Sequence, residues 1–200
     1  LVIGAESLSR ISDPHDRDGM LYADGAGAVI MEARLSNTPV GILAHKTRSD
    51  TFLHSKMLHM DKSYNPEFKN ADALFLKMNG RRLYQYALET VPQAIKACLE
   101  KSNTHLSEIN KVLIHQANGK MDDAILRRLY NLYEIADLPE HIMPMTVSFL
   151  GNTSVATLPT LYDLILKGKL QPHSIADGDL LVFASVGAGM NINALIYKVQ

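Results

Sequence analysis

A histidine at the end of an apolar run is the first residue of this sequence whose position suggests chemistry. His115 follows the apolar residues 112–114 and begins the segment His-Gln-Ala-Asn. Such a run is typical of a short buried strand, and active sites of α/β proteins lie at strand ends. Taken alone, the pattern favours a core histidine followed by a helix cap. A second cluster, Gly-Asn-Thr-Ser around Asn152, and a glycine-rich third at residues 186–189 favour an active site instead.

Three other patterns are weaker signs of function. The segment Asp-Gly-Ala-Gly-Ala at residues 24–28 lacks the spacing of a dinucleotide-binding loop and a Walker lysine, so we interpret its glycines as packing positions. No two of His45, His54 and His59 have the i, i+4 spacing of helical metal ligands, which argues against a metal site. Cys98 lies on the apolar stripe of a predicted helix, where a buried thiol is inert.

Strands and helices alternate through most of the chain, which is typical of an α/β fold with a largely parallel sheet. Apolar runs predict strands at residues 1–5, 28–31, 40–44, 111–114, 180–184 and 194–199. Residues 143–147 are predicted to be a strand or an extended segment, broken by Pro144. Apolar residues at three- and four-residue steps predict helices over residues 80–99, kinked or divided at Pro92, and over 122–133 and 155–167. The glycine loop at 186–189 then joins two strands of an antiparallel edge hairpin.

The composition is that of an ordinary globular protein. A formal net charge of -1 over 200 residues gives no general attraction to nucleic acid or to anionic membranes. No apolar run approaches the roughly 18 residues of a membrane span. A single cysteine fits a reducing, cytoplasmic compartment. The sequence begins with a strand-like run and no initiator methionine, so we expect further residues before Leu1.

The order of these motifs resembles the β-ketoacyl-acyl-carrier-protein synthase III family of the thiolase superfamily. The resemblance rests on His-Gln-Ala-Asn, Gly-Asn-Thr-Ser and Gly-Ala-Gly at residues 187–189, at the family's approximate spacing. Asp-Gly-Ala-Gly-Ala and the segment Met-Asn-Gly-Arg at residues 78–81 extend the likeness over nearly the whole chain.

The resemblance implies an α/β, thiolase-like fold of two similar halves, layered helix, sheet, helix, sheet, helix. Residues 1–48 would be the last strands of the first half, residues 49–74 a connecting segment, and residues 75–200 the entire second half. The family's nucleophilic cysteine belongs to the first half, upstream of Leu1, and Cys98 does not match it. We therefore expect a C-terminal fragment that is inactive alone.

The resemblance also implies a reaction that extends an acyl chain by two carbons. An acyl group passes from coenzyme A to the cysteine, and malonyl-acyl carrier protein then loses CO₂ and attacks the acyl-enzyme. His115 and Asn152 match the two neutral hydrogen-bond donors that stabilise the enolate in a dry site. Ala188 stands where many members have glycine, in the loop whose backbone N–H completes the oxyanion hole for the acyl thioester. No metal or cofactor is implied.

Several polar residues match family positions that bind the two substrates. Arg10 matches an arginine that stacks on the adenine of coenzyme A, while Asn118 and Lys120 match contacts to pantetheine and the carrier protein. Further matches are a basic pair on the adjoining helix, Arg127 and Arg128, and two residues of a tunnel-side helix, Arg81 and Tyr84. The expected partners are acyl-CoA, malonyl-acyl carrier protein and, for the full-length protein, a second copy in a homodimer.

Three functions remain open from the sequence. The first is a synthase III that starts fatty-acid synthesis, and the second is a related condensing enzyme of secondary metabolism with a different starter. The third is a non-catalytic fragment used for structure or binding. Retention of both His115 and Asn152 favours the first two.

Overall fold

A computed structural model describes all 200 residues as eight strands, five α-helices and short 3-10 helices. The strands are β1 (Val2–Glu6), β2 (Gly25–Val29), β3 (Gly41–Ser49), β4 (Leu58–Asp61), β5 (Phe75–Met78), β6 (Lys111–Ile114), β7 (Leu180–Gly187) and β8 (Asn191–Lys198). The α-helices are α1 (Thr51–His54), α2 (Gly80–Ser102), α3 (Gly119–Asn131), α4 (Val147–Leu150) and α5 (Thr157–Leu166). The 3-10 helices are Leu8–Arg10, Arg17–Leu21, Ser55–Met57, Leu106–Glu108 and Ser154–Ala156.

The main sheet contains four strands in the order β3, β8, β7, β6. Strands β6 and β7 are parallel, whereas β8 is antiparallel to both of its neighbours. The prediction of a largely parallel sheet is therefore wrong for these residues. A three-residue turn joins β7 to β8, and so short a connection allows only antiparallel pairing. The predicted hairpin is confirmed, but β3 and not β8 forms the edge of the sheet.

The two faces of the main sheet pack against different helices. Val112 and Ile114 of β6 belong to the larger apolar core, which includes buried residues of α2 and α3. Leu113, between them, faces a smaller cluster with Leu161 and Ile165 of α5. Since successive residues of a strand point to opposite faces, β6 must be apolar at consecutive positions. The layers are thus helix, sheet and helix, with β1 and β2 as a further sheet against α5.

Glycines, which have no side chain, let the β1–β2 sheet approach the start of α5 closely. A Cβ atom added to Gly25 would lie 2.9 Å from Cβ of Thr153, and one added to Gly4 would lie 2.7 Å from Cγ2 of Val155. Real Cβ atoms do not pack at such distances, so only glycine fits without displacement. The interpretation of residues 24–28 as a packing segment is confirmed.

Helix α2 passes through Pro92 as one continuous element, so the predicted division there is wrong. The missing hydrogen bond of a helical proline costs stability, but the buried face of α2 packs on β3, β8 and α3. The side chain of Asn79 accepts the N–H of Arg82 at the start of the helix. Cys98 is fully buried on this face, and burial raises the pKa of its thiol.

Of the two alternatives predicted for residues 143–147, the strand is wrong: residues 143–146 have no regular secondary structure, and helix α4 begins at Val147. Pro144 has no N–H to donate to a sheet, and the backbone around it pairs instead with a buried side chain described below. The predicted boundaries at residues 48 and 74 remain predictions. In the structure, β3 shares the main sheet with the end of the chain, while β1 and β2 form a separate sheet.

A buried ion pair joins the loop after β1 to the hairpin of β4 and β5. Nζ of Lys77 lies 2.5 Å from Oδ2 of Asp13 and 3.5 Å from the ring centre of Tyr64. Burial alone would raise the pKa of Asp13, but hydrogen bonds from Lys77 and from neighbouring N–H and hydroxyl groups hold it below its ordinary value. The backbone N–H of Leu76 also donates to the carbonyl of Ile11 at 2.8 Å. These contacts fix the loop and the hairpin as one wall.

Candidate functional site

One cavity of about 400 Å³ is bordered by the main sheet, the end of β1 and the wall just described. His115, Asn152 and Ala188, the three residues singled out by the sequence, all line it. Most of the other lining side chains are apolar, among them Leu8, Ile11, Leu58, Leu76 and Met78. In such surroundings a hydrogen bond from a fixed donor is stronger than in water.

Strand β6 delivers His115 to this cavity. The backbone N–H of His115 donates to the carbonyl of Ala184 on β7 at 2.9 Å, which continues the parallel pairing beyond the end of β6. Burial lowers the pKa of the imidazole, and a hydrogen bond with the backbone of Ser154 acts in the opposite direction. The imidazole is therefore neutral at pH 7, and a neutral imidazole carries one N–H donor.

Asn152 is held by its backbone and oriented by its own loop. Its N–H donates to the carbonyl of Leu21 at 2.7 Å, and its carbonyl accepts the N–H of Ala23 at 2.9 Å. The side-chain Oδ1 accepts the N–H of Ser154 at 2.9 Å. Because the oxygen is engaged, the amide nitrogen is the end of the side chain that is left to donate. Ser154 has a φ of 51°, which a residue other than glycine adopts only when its surroundings impose it.

Ala188 begins the turn between β7 and β8, and its backbone N–H donates to no other backbone group. The next two residues, Gly189 and Met190, have φ values of 74° and 52°, whereas Ala188 has no such left-handed backbone. The left-handed conformation that favours glycine is therefore not required at position 188, and alanine fits there. The side chain of Met190 is fully buried and anchors the turn in the larger core.

Gln116, next to His115, is fully buried and braces the end of β6. Its Nε2 donates to the carbonyl of Pro144 at 3.0 Å. Its Oε1 accepts the backbone N–H groups of Thr146 at 2.7 Å and Val147 at 2.9 Å. Sequence reasoning missed this role, since the partners lie about thirty residues along the chain.

Comparison with known proteins identifies the family. Residues 99–199 match the family described as 3-oxoacyl-[acyl-carrier-protein (ACP)] synthase III C terminal, and residues 1–51 match 3-oxoacyl-[acyl-carrier-protein (ACP)] synthase III. The chain belongs to the 3-oxoacyl-acyl-carrier-protein synthase III family. It is 36% identical over 202 residues to β-ketoacyl-acyl-carrier-protein synthase III of Lactobacillus delbrueckii subsp. bulgaricus, a match that covers 99% of this chain and 59% of that protein.

Solved structures of the synthase III family share the fold. The enzyme from Aquifex aeolicus VF5 matches with a TM-score of 0.78 and 29% identity, over 98% of this chain and 56% of that one. The enzyme from Pseudomonas aeruginosa PAO1 matches with a TM-score of 0.81 and 23% identity, which shows the fold, with coverages of 98% and 56%. The expected thiolase-like α/β fold is confirmed. This chain spans less than three fifths of the length of these relatives.

The residues expected to bind the substrates of a synthase III lie outside the cavity. Asn118 is the N-cap of α3, where its Oδ1 accepts the N–H of Lys120 at 3.0 Å and that of Met121 at 3.4 Å. These two capping bonds explain the presence of asparagine at position 118 without a ligand. The contact of Asn118 to pantetheine stays a prediction. The same holds for the exposed residues Arg10, Arg81, Tyr84, Lys120, Arg127 and Arg128.

Five polar residues of the cavity were missed from the sequence: Glu6, Tyr22, Ser185, Asn191 and Asn193. Glu6 is the single acid in the lining and ends β1, so its place at a strand end was an available signal. Burial and the nearby carboxylates of Asp18 and Asp16 raise the pKa of Tyr22 to about 12.

Metal ligands and membrane-spanning helices are absent from the structure. No three or more His, Cys, Asp or Glu side chains come together as a metal ion would require. None of the helices has both the length and the apolar content needed to cross a bilayer.

Proposed function

We propose that this chain takes part in the decarboxylative condensation of an acyl-CoA starter with malonyl-acyl carrier protein, which begins fatty-acid synthesis. Membership of the synthase III family supports the class of reaction. The chain's share of it is supported by the position of His115 and Asn152, two uncharged side chains that border one cavity. The proposed substrates are themselves thioesters, so the scheme needs no cofactor.

The two donors act when negative charge develops on the malonyl thioester. The bond between its α-carbon and the carboxylate breaks, CO₂ leaves, and the electron pair forms an enolate with charge on the thioester oxygen. The N–H of His115 and the amide of Asn152 donate to that oxygen and need no proton transfer. The enolate carbon then attacks the acyl thioester carbonyl, a carbon–carbon bond forms, and the thiolate that carried the acyl group leaves.

The acyl-carrying thiolate must come from another group than Cys98. That residue is the one cysteine of these 200 residues, and it is fully buried with a raised pKa. We therefore propose that the chain works with a cysteine outside this sequence and does not condense its substrates alone. In that arrangement the Ala188 N–H would stabilise the acyl oxyanion, and the complete protein would be a cytoplasmic homodimer.

Decarboxylation of malonyl-CoA tests the proposal, because it requires the enolate-stabilising pair but no acyl-enzyme. We expect the full-length protein to release acetyl-CoA, measured by liquid chromatography and mass spectrometry. Replacing His115→Ala removes one oxyanion donor, and the rate should fall by about 10²-fold or more. His45→Ala is the matched control, since His45 is exposed on β3 and does not line the cavity. An unchanged rate in His115→Ala would contradict the assignment.

A further inference from the structure

The turn that carries Ala188 is held by groups outside its own hairpin. The carbonyl of Met190 accepts the backbone N–H of Asp50 at 3.0 Å and lies 3.3 Å from Oη of Tyr86. The carbonyl of Gly189 accepts Oγ1 of Thr51 at 2.6 Å. Two consecutive carbonyls of the turn are thus fixed by Asp50 and Thr51 from the segment that follows β3, and Tyr86 of helix α2 contacts that segment through Asp50.

Tyr86 and Asp50 also bind each other. Oη of Tyr86 donates to Oδ2 of Asp50 at 2.8 Å, and Nε of Arg48 lies 2.7 Å from the same oxygen. Burial raises the pKa of Tyr86 to about 12, and its hydrogen bond helps to hold the pKa of Asp50 below the ordinary value. The hydroxyl therefore keeps its proton and the carboxylate its charge across the neutral range. Tyr86 is 7% exposed and the Asp50 side chain 23%, so the phenol is the shielded member of the pair.

The turn needs such support because its backbone is not the one its residues prefer. Gly189 and Met190 are consecutive residues in the left-handed region, with φ values of 74° and 52°. Glycine adopts this conformation readily, but for methionine it is strained. Without its partners, Met190 would relax and rotate the peptide planes of the turn, including the plane that carries the Ala188 N–H.

We propose that Tyr86 and Asp50 are positioning residues: Tyr86 fixes Asp50, the backbone N–H of Asp50 holds the Met190 carbonyl, and the Ala188 N–H is thereby kept in place beside the cavity. They act through the backbone and touch no substrate. The inference rests on the proposed function for its chemical meaning. The positioning itself is a property of the chain without ligand, and it is measured separately.

Backbone ¹⁵N relaxation of the free chain tests the positioning. In wild type the amides of residues 188–190 should be rigid, with order parameters of about 0.85. Tyr86→Phe removes only the hydroxyl and should lower these values toward about 0.6, with β6 and α3 unchanged. Tyr130→Phe is the matched control, because Tyr130 is a buried tyrosine whose hydroxyl donates to no group of the chain and lies on α3.

Asp50→Asn provides a second variant, since it keeps the backbone N–H but weakens the acceptor for Tyr86. It should loosen the same three amides to a smaller extent. Turn amides that stay rigid in both variants would overturn the inference, as would equal loosening in Tyr130→Phe. Neither result involves substrate, so loss of the decarboxylation proposal would leave this one standing, and the reverse is equally true.

Discussion

Gln116 and Asp122 are both fully buried, on either side of the start of helix α3, yet their polar atoms are treated in opposite ways. Gln116 uses its amide nitrogen and oxygen in hydrogen bonds to backbone groups of residues 144–147. Neither carboxylate oxygen of Asp122 has a hydrogen-bond partner. Burial, followed by repulsion from Asp123, raises the pKa of Asp122 to about 8.

The difference shows two effects of a buried polar residue. Gln116 stabilises the backbone at the candidate site, whereas Asp122 lowers the stability of the fold next to it. The hydrogen bonds of Gln116 offset the cost of burying its amide. They also fix the backbone next to His115, which lines the cavity. An interaction with the backbone of Asn118 lowers the pKa of Asp122 but is outweighed by burial, and protonation is the less costly state of this carboxyl at pH 7. A favourable interaction with the helix N-terminus is worth less than about 1 kcal/mol and does not reverse this.

The largest expected effect comes from removing the unpaired acid. Because the folded-state pKa of Asp122 lies above its ordinary value of 3.8, folding binds a proton that the unfolded chain has released. The free energy of unfolding that Asp122 contributes by binding this proton at low pH is therefore lost as the pH rises from about 4 to about 8. Between pH 5 and pH 8 this group should remove about 4 kcal/mol. Urea unfolding of Asp122→Leu should show a more stable chain without that decline.

Asp123→Asn is the control for this prediction, because the neighbouring Asp123 is exposed on the same helix. It should leave most of the pH dependence in place and change stability by less than about 1 kcal/mol. If Asp122→Leu unfolds with the same pH dependence as wild type, Asp122 is not the buried proton-binding group described above.

Removal of the hydrogen-bonded Gln116 side chain should have the next largest effect on stability. Gln116→Leu leaves the N–H groups of Thr146 and Val147 without their acceptor, and the expected loss of stability is about 3 kcal/mol. Denaturant unfolding measures it. Gln93→Leu on the exposed face of α2 is the control and should be nearly neutral. A small loss of stability in Gln116→Leu would show that water replaces the Gln116 side chain as the acceptor for these N–H groups.

The smallest effect separates capping from binding at Asn118. Asn118→Ala removes the N-cap of α3 and should cost about 1 kcal/mol, while Asn118→Asp keeps the acceptor and should restore most of it. Thermal unfolding compares the three chains. If alanine is as stable as asparagine, the helix does not need this cap, and a contact to substrate becomes the better reason for the residue.

The sequence predicted the elements whose signals are local. Alternation and motif order located His115 and Asn152, and the structure places both on one cavity. The glycines of residues 24–28 were interpreted correctly because a phosphate loop has a spacing that can be checked. Several helix ends differ by a few residues, as for α3, which begins at Gly119 and was predicted from residue 122.

The sequence could not predict features that depend on distant partners. The bonds of Gln116 span about thirty residues, and the pairing of β3 with β8 joins residues near 45 to residues near 195. The burial of Asp122 could not be predicted from the sequence for a related reason. A charge in the first turn of an amphipathic helix usually faces solvent, and only the packed structure shows which side of the helix is covered.

The pairing of Asn152 with residues 21–23 determines which kinds of change the site tolerates. Both hydrogen bonds use main-chain atoms alone, so they do not depend on which side chain stands at position 21. Substitution of Leu21 should leave Asn152 where it is. Insertion or deletion of one residue between the two bonds would shift the register and move the asparagine. At this point the location of a site residue is encoded by the length of a loop and not by its composition.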